Sequence, residues 1–451
     1  MSTWGKRDFR PLLHYSPPFG WINDPNGLVY DNGKYHLFAQ YYPYATHWGP
    51  MHWIHGVSED LLHWKQVGIA LQPDELGFIF SGSAIIDTGN TSGLGDGCDP
   101  MIAMFTHHGE KEQQSIAFSN DRINFTKYEG NPVIPNPGLK DFRDPKIFKN
   151  RITGNWSVIV AAGDHVEFYA SKDIKSWVKT GEFGAKENLM GSIFECPNLV
   201  ELDTPSGDKL WVLTASIIQP RETGGSRTQY FLGEFDGETF HQTVAFDKPE
   251  LIDSGYDNYA AVSFNGTNEP ILMGWGTSWT YATDEPTNEF CGMMTCARKM
   301  TIVDTLKGPR LACTPILPEG NLLPIKGEGS LPSETFLLHI ESDNAFNARV
   351  MNDAGECFKF GLNEEGSFYT DRTKAGRKDF SDLFASDLYS ATHTPRLLNG
   401  HVSMDVMFDR CLFELFADNG TYVNSTLVYP DNPYTKVVVN GNATLSIREL
   451  T

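Results

Sequence analysis

Amphipathic helix periodicity is nearly absent from the first 300 positions of this chain, and so is any long apolar run. Nothing approaches the ~18 residues of a membrane-spanning helix, so no membrane is expected as a partner. Positive charge is scarce, with 36 Lys and Arg against 57 Asp and Glu and a net charge of −21. That balance argues against nucleic acid and against anionic lipid surfaces and fits a protein acting on a neutral ligand. Cysteine shows no framework. The seven residues are odd in number and irregular in spacing, so complete disulfide pairing within one chain is excluded. The opening "MSTWGKRDFR" carries no apolar leader core, so a cytoplasmic enzyme is expected, or an extracellular one if a leader has been removed. Seven Asn-X-Ser/Thr triplets are present, at Asn90, Asn124, Asn155, Asn265, Asn419, Asn424 and Asn442, and they matter only in a secreted chain. No cofactor is expected, and the oligomeric state is left open.

What is present is a repeated grammar. "WINDPNG", Trp21 to Gly27, sets a short carboxylate, Asp24, before a proline that favours extended backbone at the aspartate. A lone Asp-Pro is usually a turn. Here it is followed by "GLVYDNGKYHLFAQ", which reads as strand, Asn-Gly turn and strand. Polar motif, strand, turn and strand recur from Phe80, Phe142, Glu195 and Tyr256. The lead residues Asp24, Ser83, Asp144, Glu195 and Asp257 are spaced by 59, 61, 51 and 62 positions. A second marker, Ser-x-Asp-x-x-x-aromatic, recurs in "SEDLLHW" (Ser58–Trp64), "SNDRINF" (Ser119–Phe125) and "SKDIKSW" (Ser171–Trp177), with a weaker copy in "EFDGETF".

Five units of about 50–60 residues, each of about four short strands, predict a five-bladed β-propeller. The first strand of each blade lines the axis, so the lead residues are expected to converge at one mouth. After Cys313 the texture changes. "TPILPEGNLLPIKGEGSLPSE" reads as a Pro- and Gly-rich linker, and alternating strands follow it. The predicted organisation is all-β, with a propeller over 1–315, a linker over 316–332 and a small β-sandwich over 333–451.

Three carboxylates at one mouth repel one another unless their pKa values differ. Apolar flanks, Phe194 and Cys196-Pro197, favour a protonated Glu195. Polar turn amides favour an ionised Asp24. One ionised carboxylate and one protonated carboxyl are the tools of a retaining glycosidase. Asp144 is then free to bind sugar hydroxyls, and Arg143 beside it faces either Asp144 or the ligand.

"WINDPNG", "FSGS", "FRDP" and "ECP", in this order and spacing, resemble the motifs of glycoside hydrolase family 32, the invertase and fructanase family. "RPLLHYSPPFGWINDPNG", "HWIHGVSEDLLHW", "GYDNYAAVSF" and "LMGWGTSW" extend the likeness over nearly the whole chain. The resemblance implies a retaining β-fructofuranosidase acting on sucrose or fructo-oligosaccharides. It implies Asp24 as nucleophile, Glu195 as acid/base and Asp144 as transition-state stabiliser. It also implies a fructosyl subsite lined by Asn23, Gln40, Trp48, Phe80, Ser81, Arg143 and Tyr259. A fructosyltransferase using the same intermediate, or a non-catalytic sugar-binding propeller, are the alternatives. The chain departs from the family in a short sandwich and in "ARK", Ala297 to Lys299, where the family usually has Pro-Arg-Glu.

Other residues invite readings of their own. His47, His52, His55 and His63 look like a metal cluster, but no Cys or carboxylate pattern completes a zinc site, so no metal is expected. Asp99-Pro100 lies inside the second unit and reads as a turn. Cys196 reads as a buried structural thiol. Trp275 and Trp279 suit core or sugar platform equally.

Overall fold

The computed structural model describes residues 7–188 and 191–450. Residues 1–6, part of the stretch read for a leader, lie outside the described residues, as do 189–190 and 451. Helix among the described residues is confined to single turns, such as Asp382–Ala385 and Asp387–Ser390.

Five antiparallel sheets fill the first two thirds of the chain. Their innermost strands are Gly20–Asp31, Phe78–Ile86, Arg143–Lys149, Phe194–Asp203 and Tyr259–Ser263. Each packs against the next, and the fifth returns to the first. The chain is thus a closed five-bladed propeller, here numbered blades I to V. Phe290–Cys291 adds a parallel rung to Gly20 and Trp21 of blade I. Apolar seams join the blades, for example Phe38 and Trp53 with Met101 and Phe105 between I and II. Phe148 and Phe168 with Leu213 and Phe231 do the same between III and IV.

The Ser-x-Asp marker is the turn between the third and fourth strands of a blade. In blade I the Asp60 carboxylate accepts the N–H groups of Leu62 and His63, and Ser58 Oγ accepts that of Leu61. Asp121 and Asp173 accept from Ile123 and Asn124, and from Lys175 and Ser176. The residue after each aspartate, Leu61, Arg122 or Ile174, has φ of 63–68°. A non-glycine residue in that region is strained, and the side-chain caps hold it there. The weaker copy at Asp236 caps Glu238 and Thr239 in the same way.

Every inner strand also carries a β-bulge at the same height. Three steps on the inner strand oppose two on its neighbour between Ile22 and Pro25, Ile79 and Gly82, Arg143 and Lys146, Glu195 and Asn198, and Tyr259 and Val262. Proline cannot donate to a ladder, so Asp24-Pro25, Asp144-Pro145 and Cys196-Pro197 suit these sites. In blade II the bulge ends at Gly82, where a Cβ would lie 2.0 Å from the Met104 carbonyl oxygen. A bulge turns the strand and re-aims its side chains. The expected convergence needs correcting at two positions. Blade II presents Ser81 at the mouth, while Ser83 lies deeper and bonds the Pro145 carbonyl. Blade V presents Tyr259, while Asp257 turns away to Arg372 in the sandwich.

Below the mouth the axis is closed. Lys146 Nζ donates to the Ser263 carbonyl at 2.5 Å. Asn265 reaches across to the carbonyls of Ala84 and Ile147 at 2.8 and 3.0 Å.

The C-terminal part is a sandwich of two six-stranded sheets around a core that includes Phe336, Phe358, Phe408 and Phe413. The stretch expected as a linker is partly in those sheets. Leu323–Ile325 pairs with one and Glu328–Ser330 with the other, each as an edge strand. Proline is tolerated at a sheet edge, which is why composition alone read this segment as loop.

Buried charges pin propeller to sandwich. Arg298, the arginine that "ARK" keeps in common with the family's Pro-Arg-Glu, bonds Asp253, Glu414 and Ser425 at 2.6–2.8 Å. It is an interior residue and not a surface contact. His14 lies between Asp409 at 2.9 Å and Glu414 at 2.6 Å. Burial opposes charge on His14, but the hydrogen bonds to both carboxylates prevail and raise its pKa from 6.5 to about 9.

Arg298→Met strands two buried carboxylates, and urea unfolding should show a loss of about 3–5 kcal/mol. A loss within the ~0.5 kcal/mol of an ordinary surface change would contradict the pinning role. The His14 contribution is complete below pH 6.5 and falls away as pH rises through about 9, because its folded pKa is the higher one. Thermal midpoints measured from pH 6 to 10 should therefore decline more steeply in the parent chain than in His14→Gln.

Candidate active site

The funnel above the axial plug is a pocket of about 340 Å³. Asn23, Asp24, Gln40, Trp48, Phe80, Ser81, Arg143, Asp144 and Glu195 all line it. Tyr259 does not line it: it is buried beneath Glu195 and donates its hydroxyl to Glu195 Oε2. The structure thus brings together every residue named for the site from the sequence.

Asp24 is held from three sides. Ser81 Oγ donates to Oδ2 at 2.6 Å, and Asn23 Nδ2 donates to Oδ1 at 3.0 Å. The Cys196 thiol points at Oδ2 from 3.4 Å. Asn23 is itself fixed by the Trp21 indole N–H at 2.8 Å, which gives the tryptophan of "WINDPNG" its role. Asp144 accepts the Cys196 N–H at 2.9 Å, and its own N–H donates to Thr106 Oγ1 at 2.9 Å. Asp144 has φ of 65° and Cys196 has φ of 45°, so backbone strain is concentrated where the side chains must be aimed.

Glu195 receives Arg143 through Nε at 3.1 Å and Nη2 at 3.0 Å. The arginine therefore pairs with Glu195 and not with its sequence neighbour. Its Nη1 bonds Glu112 at 3.0 Å and Asp141 at 2.9 Å. One guanidinium thus serves three carboxylates. Burial raises the Glu195 pKa; Arg143 and the Tyr259 hydroxyl oppose that shift, and repulsion from Asp24 adds to it. Burial likewise raises Asp144, against Arg143, with repulsion from Glu195 and Asp24 assisting. A carboxyl whose pKa is raised in this way is suited to act as a general acid. Burial and the surrounding carboxylates raise Cys196 far up, so its thiol stays protonated. It is buried, as expected, and it also contacts two of the acids.

Several lining residues escaped the sequence reading. His108 stacks on Phe80 with ring centroids 4.0 Å apart, and its Nδ1 bonds Glu112 at 3.1 Å. Glu112, Asp141, His108 and Ile218 also line the funnel. Asp141 sits two residues before Arg143, a signal that could have been used. Glu112 lies on a third strand, outside any lead motif. Trp275 is core, whereas Trp279 lines the pocket. The four histidines read against a metal do not meet: His47, His52, His55 and His63 bond Trp48, Pro50, His36 and Asp60 respectively. Asp99 accepts the Gly89 N–H in a loop. Among the described residues one trio, His165, Glu167 and Glu182, could present metal-ligand atoms within 4.8 Å of one another. The Lys179 ammonium already bridges its two glutamates at 2.6 and 2.9 Å.

A dead-ended funnel with clustered carboxyls on a propeller, joined to a sandwich, defines a glycoside hydrolase. Residues 14–315 match the glycosyl hydrolases family 32 N-terminal domain and 335–451 the family 32 C-terminal domain, and the chain belongs to that family. It is 37% identical to a levanase of Bacillus subtilis, over 95% of this chain and 68% of the relative. It is 32% identical to an extracellular exo-inulinase of Aspergillus awamori, over 98% and 93%. The crystal structure of exo-inulinase from that organism superposes with a TM-score of 0.89 at 29% identity, covering 99% of both chains. A fructofuranosidase of Schwanniomyces occidentalis complexed with fructose superposes at 0.88 with 27% identity, over 99% and 100%.

Two substitutions should move the alkaline limb of the pH–rate profile in opposite directions. Tyr259→Phe removes a donor that favours ionised Glu195, so the limb should move up. Glu112→Gln leaves more of the Arg143 charge to Glu195, so the limb should move down. Shifts of the same sign, or none, in kcat/KM profiles on sucrose would contradict this arrangement.

Proposed function

We propose that the chain is a retaining β-fructofuranosidase that releases terminal β-D-fructofuranosyl units from sucrose and fructo-oligosaccharides. The observation that carries the reading is the meeting of Asp24, Asp144 and Glu195 in a closed-bottom pocket, with the one shared cation on Glu195. A pocket plugged below admits a chain end and not a continuous chain, which favours terminal units. The levanase, exo-inulinase and fructofuranosidase relatives support fructosyl substrates.

In this reading Asp24 attacks the anomeric carbon of the fructosyl unit while Glu195 gives its proton to the leaving oxygen. A covalent fructosyl-enzyme forms with inverted configuration. Glu195, now ionised, draws a proton from water, which attacks the same carbon and restores the β configuration. Ser81 and Asn23 keep Asp24 oriented. Asp144, held by the Cys196 amide, is placed to bind sugar hydroxyls, and the Trp48, Phe80 and Trp279 faces pack on the ring.

Asp24→Asn and Glu195→Gln should each lower sucrose turnover by at least the ~10²–10⁴-fold of general acid–base help, with circular dichroism unchanged. Activity near that of the parent in either folded variant removes that residue from its role. With an activated fructoside and azide, Glu195→Ala should yield a β-fructosyl azide, since two inversions give retention. An α-configured product would point to single displacement.

A further inference from the structure

A second cavity, sharing no lining residue with the funnel, lies between blades IV and V and the sandwich. It measures about 290 Å³. Acidic residues outnumber basic ones across the chain, 57 to 36, but this cleft inverts the balance. Arg227, Lys248, Lys307, Arg310 and Arg396 line it against a single acid, Glu250. Arg396 is engaged by Asp418 through Nε at 2.6 Å and Nη2 at 3.0 Å. Among the described residues no carboxylate lies within 4.0 Å of Arg227, Lys248 or Lys307.

The two inner arginines are the unusual ones. Arg310 is 5% exposed, and its Nη1 bonds only the carbonyls of Lys307 and Pro309. Its Nε stands 3.5 Å from Glu250 and has no hydrogen-bond partner. Arg227 lies over the Tyr256 ring at 4.6 Å, and its Nη2 touches the carbonyls of Asp253 and Ser254 at 3.2 and 3.3 Å. The nearby Asp253 carboxylate is committed to Arg298. On the opposite wall Tyr422 is 2% exposed, and its hydroxyl is closed to water and has no hydrogen-bond partner. Arg310 is buried against one carboxylate at 3.5 Å and Arg227 is half-buried with none in reach, and buried donors left open, such as Arg310 Nε, are rare. An arginine fork matches the geometry of an oxyanion, and lysines at the rim strengthen the local field.

We propose that this interdomain cleft binds a small oxyanion of at least two negative charges, of the phosphate or phosphate-ester class, held by Arg227, Arg310 and Tyr422 with Lys248 and Lys307 at the rim. The propeller supplies the arginines and the sandwich supplies the tyrosine, so the bound anion bridges the two. Binding to the folded state alone then raises the thermal midpoint, with the logarithm of ligand concentration once the site is filled.

Calorimetric titration of the full chain at pH 7 and low ionic strength tests this, with pyrophosphate, inorganic phosphate and fructose 6-phosphate as probes and fructose as the neutral control. Saturable 1:1 binding of at least one anion is expected. Comparable binding of all three assigns the site to the bare oxyanion, and preference for fructose 6-phosphate assigns it to an ester. Arg310→Gln should weaken binding by at least tenfold. Because that buried variant can fail to fold, Lys248→Gln/Lys307→Gln serves as the surface counterpart. It should weaken binding severalfold and steepen no other property, leaving kcat/KM on sucrose unchanged. Absence of saturable heat with every anion, or isotherms unchanged in the folded variants, would overturn the proposal.

Discussion

The structure depends on one backbone device, a β-bulge repeated at the same height in all five inner strands. A regular strand alternates its side chains between faces, and in a propeller that would send half of each lead motif into the blade seams. One extra residue per strand breaks the alternation locally. Asn23 and Asp24, Phe80 and Ser81, and Asp144 occupy or border these bulges, as do Glu195 with Cys196 and Tyr259 with Ala260. The three carboxyl groups of Asp24, Asp144 and Glu195 are therefore carried on strands and not on loops. They rest on the most deeply packed strands of the molecule, which holds them within tight limits.

Electrostatics follows from that placement. Bringing acids onto the axis removes them from water, and among the described residues a single arginine lines the funnel, Arg143, shared by Glu195, Glu112 and Asp141. One cation for several acids leaves at least one carboxyl close to holding its proton. The interdomain contact solves the opposite problem. There Arg298 and His14 answer Asp253, Asp409 and Glu414 with well-formed ion pairs, and Glu414 stays far below the usual carboxylate range, its burial overcome first by Arg298 and then by His14. The same chemistry stabilises one region and leaves the other poised.

The periodicity of motifs made the blade count, the all-β class and the meeting of Asp24, Asp144 and Glu195 legible, while the other members of the funnel named from the sequence came from the family resemblance. Repeats expose what each blade has in common, and they did so at Asp24, Asp144 and Glu195. They misled where blades differ. Asp257 keeps the lead spacing, yet its carboxylate serves Arg372 across the domain contact and Tyr281 on its own side, because the blade V bulge begins only at Tyr259, two residues later. Glu112 and His108 were invisible, since they flank the turn between the second and third strands of blade II, outside any lead motif. The edge strands at Leu323–Ile325 and Glu328–Ser330 hid behind proline and glycine. Nothing in the sequence marked Arg298 for a role, whereas three-dimensional packing makes it the buried centre of an ion network.

The central claim is that the bulge in blade I aims Asp24 as the nucleophile. Intact-mass and peptide mapping of Glu195→Gln treated with β-fructosyl fluoride tests it most directly, because fluoride leaves without acid help and the variant lacks the base that would free the sugar. The account predicts one added fructosyl unit per chain, carried by the peptide containing Asp24. A label on a peptide from blade III or IV, or no label while fluoride is released at a steady rate, would contradict it.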